Sequence, residues 1–280
     1  MTSPESPPRR TAETEPPPGT VERWAFDYVR SRDLAHKTAP PPPPDVWAHP
    51  RPAALRLRAP GRPPELRVVP RTARSLRRHE LRSVKKRAAQ IHTFWHHELQ
   101  AAELMCWAVL AFPDAEEGFR RGLLRIAGDE LRHMGLYAGH LARLGFAVGD
   151  FPVRDWFWQR VPQCRDPLQF VALLGLGLEG GNLDHSQRYD AWFEEVGDHD
   201  AAAIQRVVCR DEIGHVAFAA RWFAEWTGGA VDFERWCREL VPPLTPALLR
   251  GRPLNRSARL DAGLPPEFVD ALAAFADPLR

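Results

Sequence analysis

The stretch "DELRHMGLY" at 129–137 sets an acid, a histidine and a tyrosine in an otherwise apolar segment, and "DEIGHVAF" at 211–218 repeats the acid and the histidine. On a helix, residues three apart lie on one face, about one turn from each other. Glu130 and His133 form such a pair, and so do Glu212 and His215. Both pairs fall inside the apolar stripe rather than opposite it. One stripe reads Leu123, Ile126, Glu130, His133, Tyr137, Leu141, and the other reads Ile204, Val208, Glu212, His215, Ala219, Trp222. Ionisable groups that face a core need something there to balance their charge.

Two more acids share the pattern. "HHELQAAEL" places Glu98 among Ile91, Phe94, Ala101 and Met105, and "LGLEGGNLDH" places Glu179 among Ala172, Leu176, Asn182 and Leu183. The spacing from Glu98 to Glu130 is 32 residues and that from Glu179 to Glu212 is 33. Glu103 and Asp184 each follow the first acid of a pair by five. The pattern predicts two helix pairs related by an internal duplication. Four ionised carboxylates in a core would cost many kcal/mol or become protonated. Two divalent cations neutralise four carboxylates beside two neutral imidazoles, so Glu98, Glu130, His133, Glu179, Glu212 and His215 are the expected metal ligands. Carboxylate with imidazole suits iron or manganese. One Glu from each of two helices and Glu-x-x-His from each of the other two is a dinuclear bundle pattern.

Five residues turn a helix by about 140°, so Glu103 and Asp184 point away from the ligands. They are expected as supporting polar contacts between helices. His96, His97 and His185 are expected as hydrogen-bonding partners or surface groups. Tyr137, four residues after His133, is a candidate redox residue. A core tyrosine with its hydroxyl satisfied is the plainer reading.

Working outward, the chain divides by its prolines and glycines. Residues 1–18 are polar and proline-rich and are expected to be disordered. Residues 19–76 form an N-terminal extension, with a short amphipathic helix over 21–37, a polyproline linker at "APPPPPDVW" and extended surface chain over 50–75. Residues 77–228 hold four long helical segments. The first ends at Pro113, and Asp114 with Glu117 is expected to cap the second as a capping box. Gly145 ends the second, Asp166-Pro167 starts the third, Gly197 ends it, and the fourth stops at Gly228-Gly229. Residues 229–280 form a C-terminal extension that wraps the bundle and ends in a short helix at "PPEFVDALAAF". The expected fold is all-α, a four-helix bundle with irregular extensions.

Composition excludes little. The net charge is +2, but residues 51–90 carry thirteen Lys/Arg against two Glu. That stretch is read either as a nucleic-acid contact or as cations pairing with the acidic bundle. The four cysteines form no C-x-x-C pair, which argues against a zinc ribbon and fits reduced thiols. The N-terminus has no apolar signal region and the longest apolar run is too short to span a bilayer, so a soluble cytoplasmic protein is expected.

"DELRH" and "DEIGH" match the D-E-x-R-H and D-E-x-x-H signatures of ferritin-like di-iron carboxylate proteins. "HHELQAAELM", "DELRHMGLY", "EGGNLDH" and "DEIGHVAF" resemble a bacterial ferritin-like family distantly similar to the tRNA-modifying di-iron hydroxylase. The resemblance covers roughly 77–228. It implies a ferritin-like bundle holding two iron ions, or a manganese–iron pair, with dioxygen as co-substrate. It also implies that Asp129 and Asp211 orient the ligand histidines, with Arg132 in the same network. Gly214 stands where the second copy would carry that arginine, so the network should be one-sided. The expected activity is an oxygen-dependent oxidase or monooxygenase acting on a small molecule, with an external electron donor. The alternatives are ferroxidase or peroxide handling without an organic substrate, or an RNA-modifying hydroxylase. A homodimer is compatible with any of these readings.

Overall fold

A computed structural model describes residues 15–71 and 76–276, so residues 1–14 of the expected disordered tail lie outside the described residues. The last residues of that tail are seated. Glu15 pairs with Arg23, and the Pro17 carbonyl accepts from the Thr20 hydroxyl.

Thr20 caps α1 (Val21–Arg30) and Asp33 caps α2 (Leu34–Thr38), so the single helix expected over 21–37 is two. The break has a cause in the packing. Gly61 donates to the Val29 carbonyl, and a Cβ at Gly61 would come 2.1 Å from the Arg30 carbonyl oxygen. The extension therefore crosses the end of α1 where a further turn would run. Lys37 folds back and gives its ammonium protons to the Tyr28 and Val29 carbonyls, which the helix end leaves open.

After a 3₁₀ turn at Arg78–Arg82, four long segments follow. They are α3 (Val84–Ala111); α4 (Glu117–Arg143); α5 (Pro167–Phe170), running through a π-helix at Val171–Glu179 into α6 (Gly180–Glu195); and α7 (His199–Thr227). The Asp114 cap is corrected. Helix α4 starts at Glu117 after Glu116, with no side-chain cap, because Pro113–Ala115 turn and Ala115 packs into the core. The other stops are where they were expected. Asp166 accepts from the Gln169 N–H, and Gly145, Gly197 and Gly228 take the left-handed conformation just past their helices. The π-helix was not foreseen.

Helix α3 packs on α4, α6 on α7, the π-helix on α7, and α4 faces α7. Helices α8 (Phe233–Glu239), α9 (Pro246–Leu249), α10 (Arg256–Asp261) and α11 (Pro266–Ala274) follow. The fold is all-helical. Among the described residues there is no β-strand, only an isolated bridge between Val68 and Val153, and no helix is long and apolar enough to cross a membrane.

The two acids set five residues after Glu98 and Glu179 fasten the extensions. Glu103 is fully buried and takes both guanidinium arms of Arg62 (2.6 and 2.9 Å), the Lys37 ammonium (2.7 Å) and the Trp158 indole N–H (2.8 Å). Asp184 accepts from the Gly251 and Asn255 N–H groups and pairs with buried Arg259. The part of the expected surface chain that is described, 50–71, is thus more than surface chain. It buries Leu57 and Leu66, and Arg56 donates to the Cys164 and Arg165 carbonyls.

Candidate metal centre

The buried apolar side chains fall into two clusters, and the polar residues lie between them. Along α4 one cluster ends at Ala127 and the other starts at Met134; along α7 they meet across the gap from Val208 to Val216. Glu130 with His133, and Glu212 with His215, fill those gaps. The same level is reached on α3 by Glu98 and at the end of the π-helix by Glu179.

Donor atoms of Glu98, Glu130, His133 and Glu212 lie within 4.8 Å of one another, all four side chains being buried. His215 joins them, its Nδ1 being 3.1 Å from Glu212 Oε2 and from Glu130 Oε1. Glu130 Oε1 has no partner that meets hydrogen-bond geometry, so the His215 contact is electrostatic rather than a bond. Glu179 stands against Glu212 and Glu130, with Oε1 buried and unpartnered. All six expected ligands therefore meet at one level of the molecule.

The imidazoles are oriented alike. Each turns Nδ1 inward to the carboxylates and Nε2 outward to an aspartate. His133 Nδ1 lies 3.3 Å from Glu130 and its Nε2 lies 3.0 Å from Asp211. His215 Nε2 lies 3.4 Å from Asp129. The pairing is crossed, since each histidine is steadied by the aspartate of the other helix. A carboxylate only accepts, so a ring nitrogen bonds to one only as N–H; the Nε2 proton suits the aspartate, and Nδ1 would give its proton up on binding a cation. The arginine network is not one-sided as expected: Arg132 donates to both Asp129 (3.1 Å) and Asp211 (2.8 Å), so one arginine serves both halves where Gly214 has no side chain.

The electrostatics show what the cluster does without a cation. Burial, then Glu130, pushes the Glu98 carboxyl far above its usual range; burial, then Glu212, does the same to Glu179. Burial would also raise Glu130, but its contacts with His133 and His215 outweigh it and hold it ionised. Burial works against charge on His133 and His215, yet Glu130 beside the first and Glu212 beside the second do most to raise them above the usual histidine range. Protons thus sit where divalent charge would otherwise sit, which is how a buried carboxylate set compensates. Two carboxylate oxygens without hydrogen-bond partners, two inward-facing imidazole nitrogens and four buried acids fit a pair of hard cations.

Sequence reasoning missed several members. Asn182 stands three residues after Glu179, where α4 and α7 have histidine, and donates to Glu212 Oε1 (2.8 Å). That offset was the available signal. Gln205 donates to the Tyr137 hydroxyl (2.9 Å), and burial, then Glu98, keeps the phenol from ionising. His96 lies between Asp155 and Gln100, and His97 stacks on Phe157, so neither joins the cluster. Glu103 and Asp184 bond to the extensions rather than to the ligands.

A family model described as "Protein of unknown function (DUF455)" matches residues 20–270. The chain belongs to that family. The match spans all four long helices and the extensions fastened by Glu103 and Asp184. An uncharacterized protein of Haemophilus influenzae is 29% identical over 192 residues, which cover 65% of this chain and 66% of that protein. No solved structure matches.

Proposed function

We propose that this family member is a non-haem dinuclear iron oxidoreductase on a ferritin-like four-helix bundle. In this reading Glu98, Glu130, His133, Glu179, Glu212 and His215 hold two iron ions, and it acts on a small organic molecule as an oxygen-dependent oxidase or monooxygenase. The observation that carries the reading is the crossed histidine–aspartate arrangement around buried glutamates, since it turns one nitrogen of each imidazole toward the carboxylates, with Glu98, Glu130, His133 and Glu212 in one small volume and Glu179 beside them. A pair of ferrous ions, when bound, supplies the electrons that reduce dioxygen.

The chain's own residues do the rest. Asp129 and Asp211 fix the imidazole tautomers, and Arg132 holds both aspartates over the outer face. Asn182 orients Glu212 from the third segment. The apolar clusters above and below keep bulk water out, which strengthens every charge interaction at that level. Glu98 and Glu179 release their protons as cations enter, so loading frees protons and weakens at low pH.

Three basic residues expected as candidates for RNA contact face the protein. Arg62 pairs with Glu103 and Asp155, Arg87 with Asp198, and Arg56 lies over Trp107 and Phe112. That favours a small-molecule substrate over RNA.

The test is a metal count on the protein as purified, followed by anaerobic loading with Fe(II) and measurement of dioxygen uptake. Two metals per chain are expected. Glu98→Ala and Glu179→Ala should each empty most of the site, whereas Glu103→Ala should keep its metal and lose stability instead. A wild-type chain that takes up no metal refutes the centre.

A further inference from the structure

The outer surface between α4 and α7 is indented at the level of the cluster. By the internal duplication, Gly214 stands where its counterpart is Arg132. Nothing lies within 4 Å of where a side chain at Gly214 would begin. A cleft of about 390 Å³ opens beside it, within the usual range of small-molecule sites. Its floor includes Ile126, His215 and Phe218, and Arg125 and Arg210 line it as well.

The same three floor residues also wall a second space. An apolar cavity of about 10 Å³ reaches Glu179, whose Oε1 is buried without a hydrogen-bond partner. Ile126, His215 and Phe218 therefore divide an open cleft from a buried pocket at the cluster. The Phe218 ring lies directly on the α4 backbone because residue 122 is glycine; a Cβ there would come 2.1 Å from the ring.

Charge decides what the cleft would take. Asp129 and Asp211 are already matched by the imidazoles and by Arg132. Arg125 and Arg210 are exposed and make no ion pair among the described residues. Two uncompensated guanidinium groups above an apolar floor suit an anionic head with an apolar body.

We propose that this cleft binds a small organic anion, a carboxylate or phosphate monoester. Arg125 and Arg210 hold its head, its body lies on Ile126 and Phe218, and Phe218 is the partition that body displaces to approach Glu179. That the anion is a substrate rests on the dinuclear reading; that it binds does not.

Titration calorimetry on the full chain tests this with octanoate, acetate and octylamine. Octanoate should bind at least tenfold more tightly than acetate, and octylamine should give no signal. The double variant Arg125→Gln/Arg210→Gln should weaken octanoate tenfold or more. Gly214→Arg, which fills the cleft where space is free, should do the same with an unchanged melting curve. No octanoate binding, equal binding of octylamine, or wild-type affinity in either variant overturns the proposal. The partition is read separately on protein loaded with Co(II). Octanoate should shift the visible cobalt bands, and Phe218→Trp should abolish the shift while retaining octanoate. A shift that survives Phe218→Trp, or no shift in wild type with octanoate bound, overturns the partition. A chain that binds octanoate but no cobalt supports the cleft and refutes the centre.

Discussion

At the scale of single residues, most buried charges in this protein answer to a named partner. Glu103 would be costly where it lies, but two cations and an indole N–H surround it, and Arg62 and Lys37 outweigh its burial and hold it ionised. Removing one member of such a set leaves a buried charge unmatched, at a cost of roughly 3–5 kcal/mol. His92 shows the neutral alternative. It is fully buried and its Nε2 accepts from the Gly149 N–H at 2.9 Å, so the ring carries no charge. Burial, then His96, lowers its pKa to about 4. An unfolded histidine titrates near 6.5, so between those values the unfolded chain binds the proton and the folded chain does not. The His92 contribution is therefore complete above pH about 6.5 and is lost as the pH falls toward about 4. Urea unfolding between pH 4.5 and 7 should show His92→Asn, which keeps an acceptor for Gly149, with a flatter pH slope than wild type. Equal slopes would show that the buried imidazole is not what titrates.

At the scale of elements, the third segment departs most from expectation. Its nine π-helical residues include two glycines that let other elements approach. A Cβ at Gly175 would come 2.3 Å from the Ala219 Cβ on α7, and one at Gly177 would come 3.1 Å from Leu249 Cδ1. Trp236 of α8 donates its indole N–H to the Ala172 carbonyl at 2.8 Å, so the C-terminal extension holds the wide turn in place. Because Glu179 ends this element, its distance from α7 sets its distance from Glu212. Gly175→Ala should push the π-helix off α7, cost about 1–3 kcal/mol by overpacking and lower metal content. Adding Ala219→Gly removes the opposing methyl and should restore the metal, though not the full stability, since glycine inside a helix costs about 1 kcal/mol. Chemical denaturation with metal analysis of both variants checks this. A Gly175→Ala protein that is as stable and as well loaded as wild type would show that the contact is slack.

At the scale of the whole molecule, a polar layer cuts the apolar core in two. The two halves are joined at that layer by carboxylates that need counter-charge. Cations bound only by the folded chain stabilise it by RT ln(1 + [L]/Kd), about 3 kcal/mol at a hundredfold excess over Kd. Chelation should lower the melting temperature by several degrees, and re-addition should restore it. Calorimetry with confirmed metal loss reads this. An unchanged curve would place the acids outside any metal site. The extensions complete the fold from either side, since the first helix pair fastens the N-terminal one through Glu103 and the second fastens the C-terminal one through Asp184. The repeated spacing thus extends from the buried glutamates to the anchors.

Periodicity was enough to place six side chains at one level, because residues three and four apart on a helix share a face whatever the helix packs against. The helix stops were legible for the same local reason: Asp166-Pro167 starts a helix, and Gly145, Gly197 and Gly228 end one, by backbone preferences that need no neighbour. What depends on neighbours was not legible. Only the packing of α4 against α7 decides that each histidine meets the opposite aspartate, that a single Arg132 spans both, and that Gly214 faces a cleft. The wide turn before Glu179 and the break after Arg30 were likewise decided by distant segments. A turn widens, or a helix stops, where another chain segment satisfies the carbonyls it gives up, and that segment can lie tens of residues away.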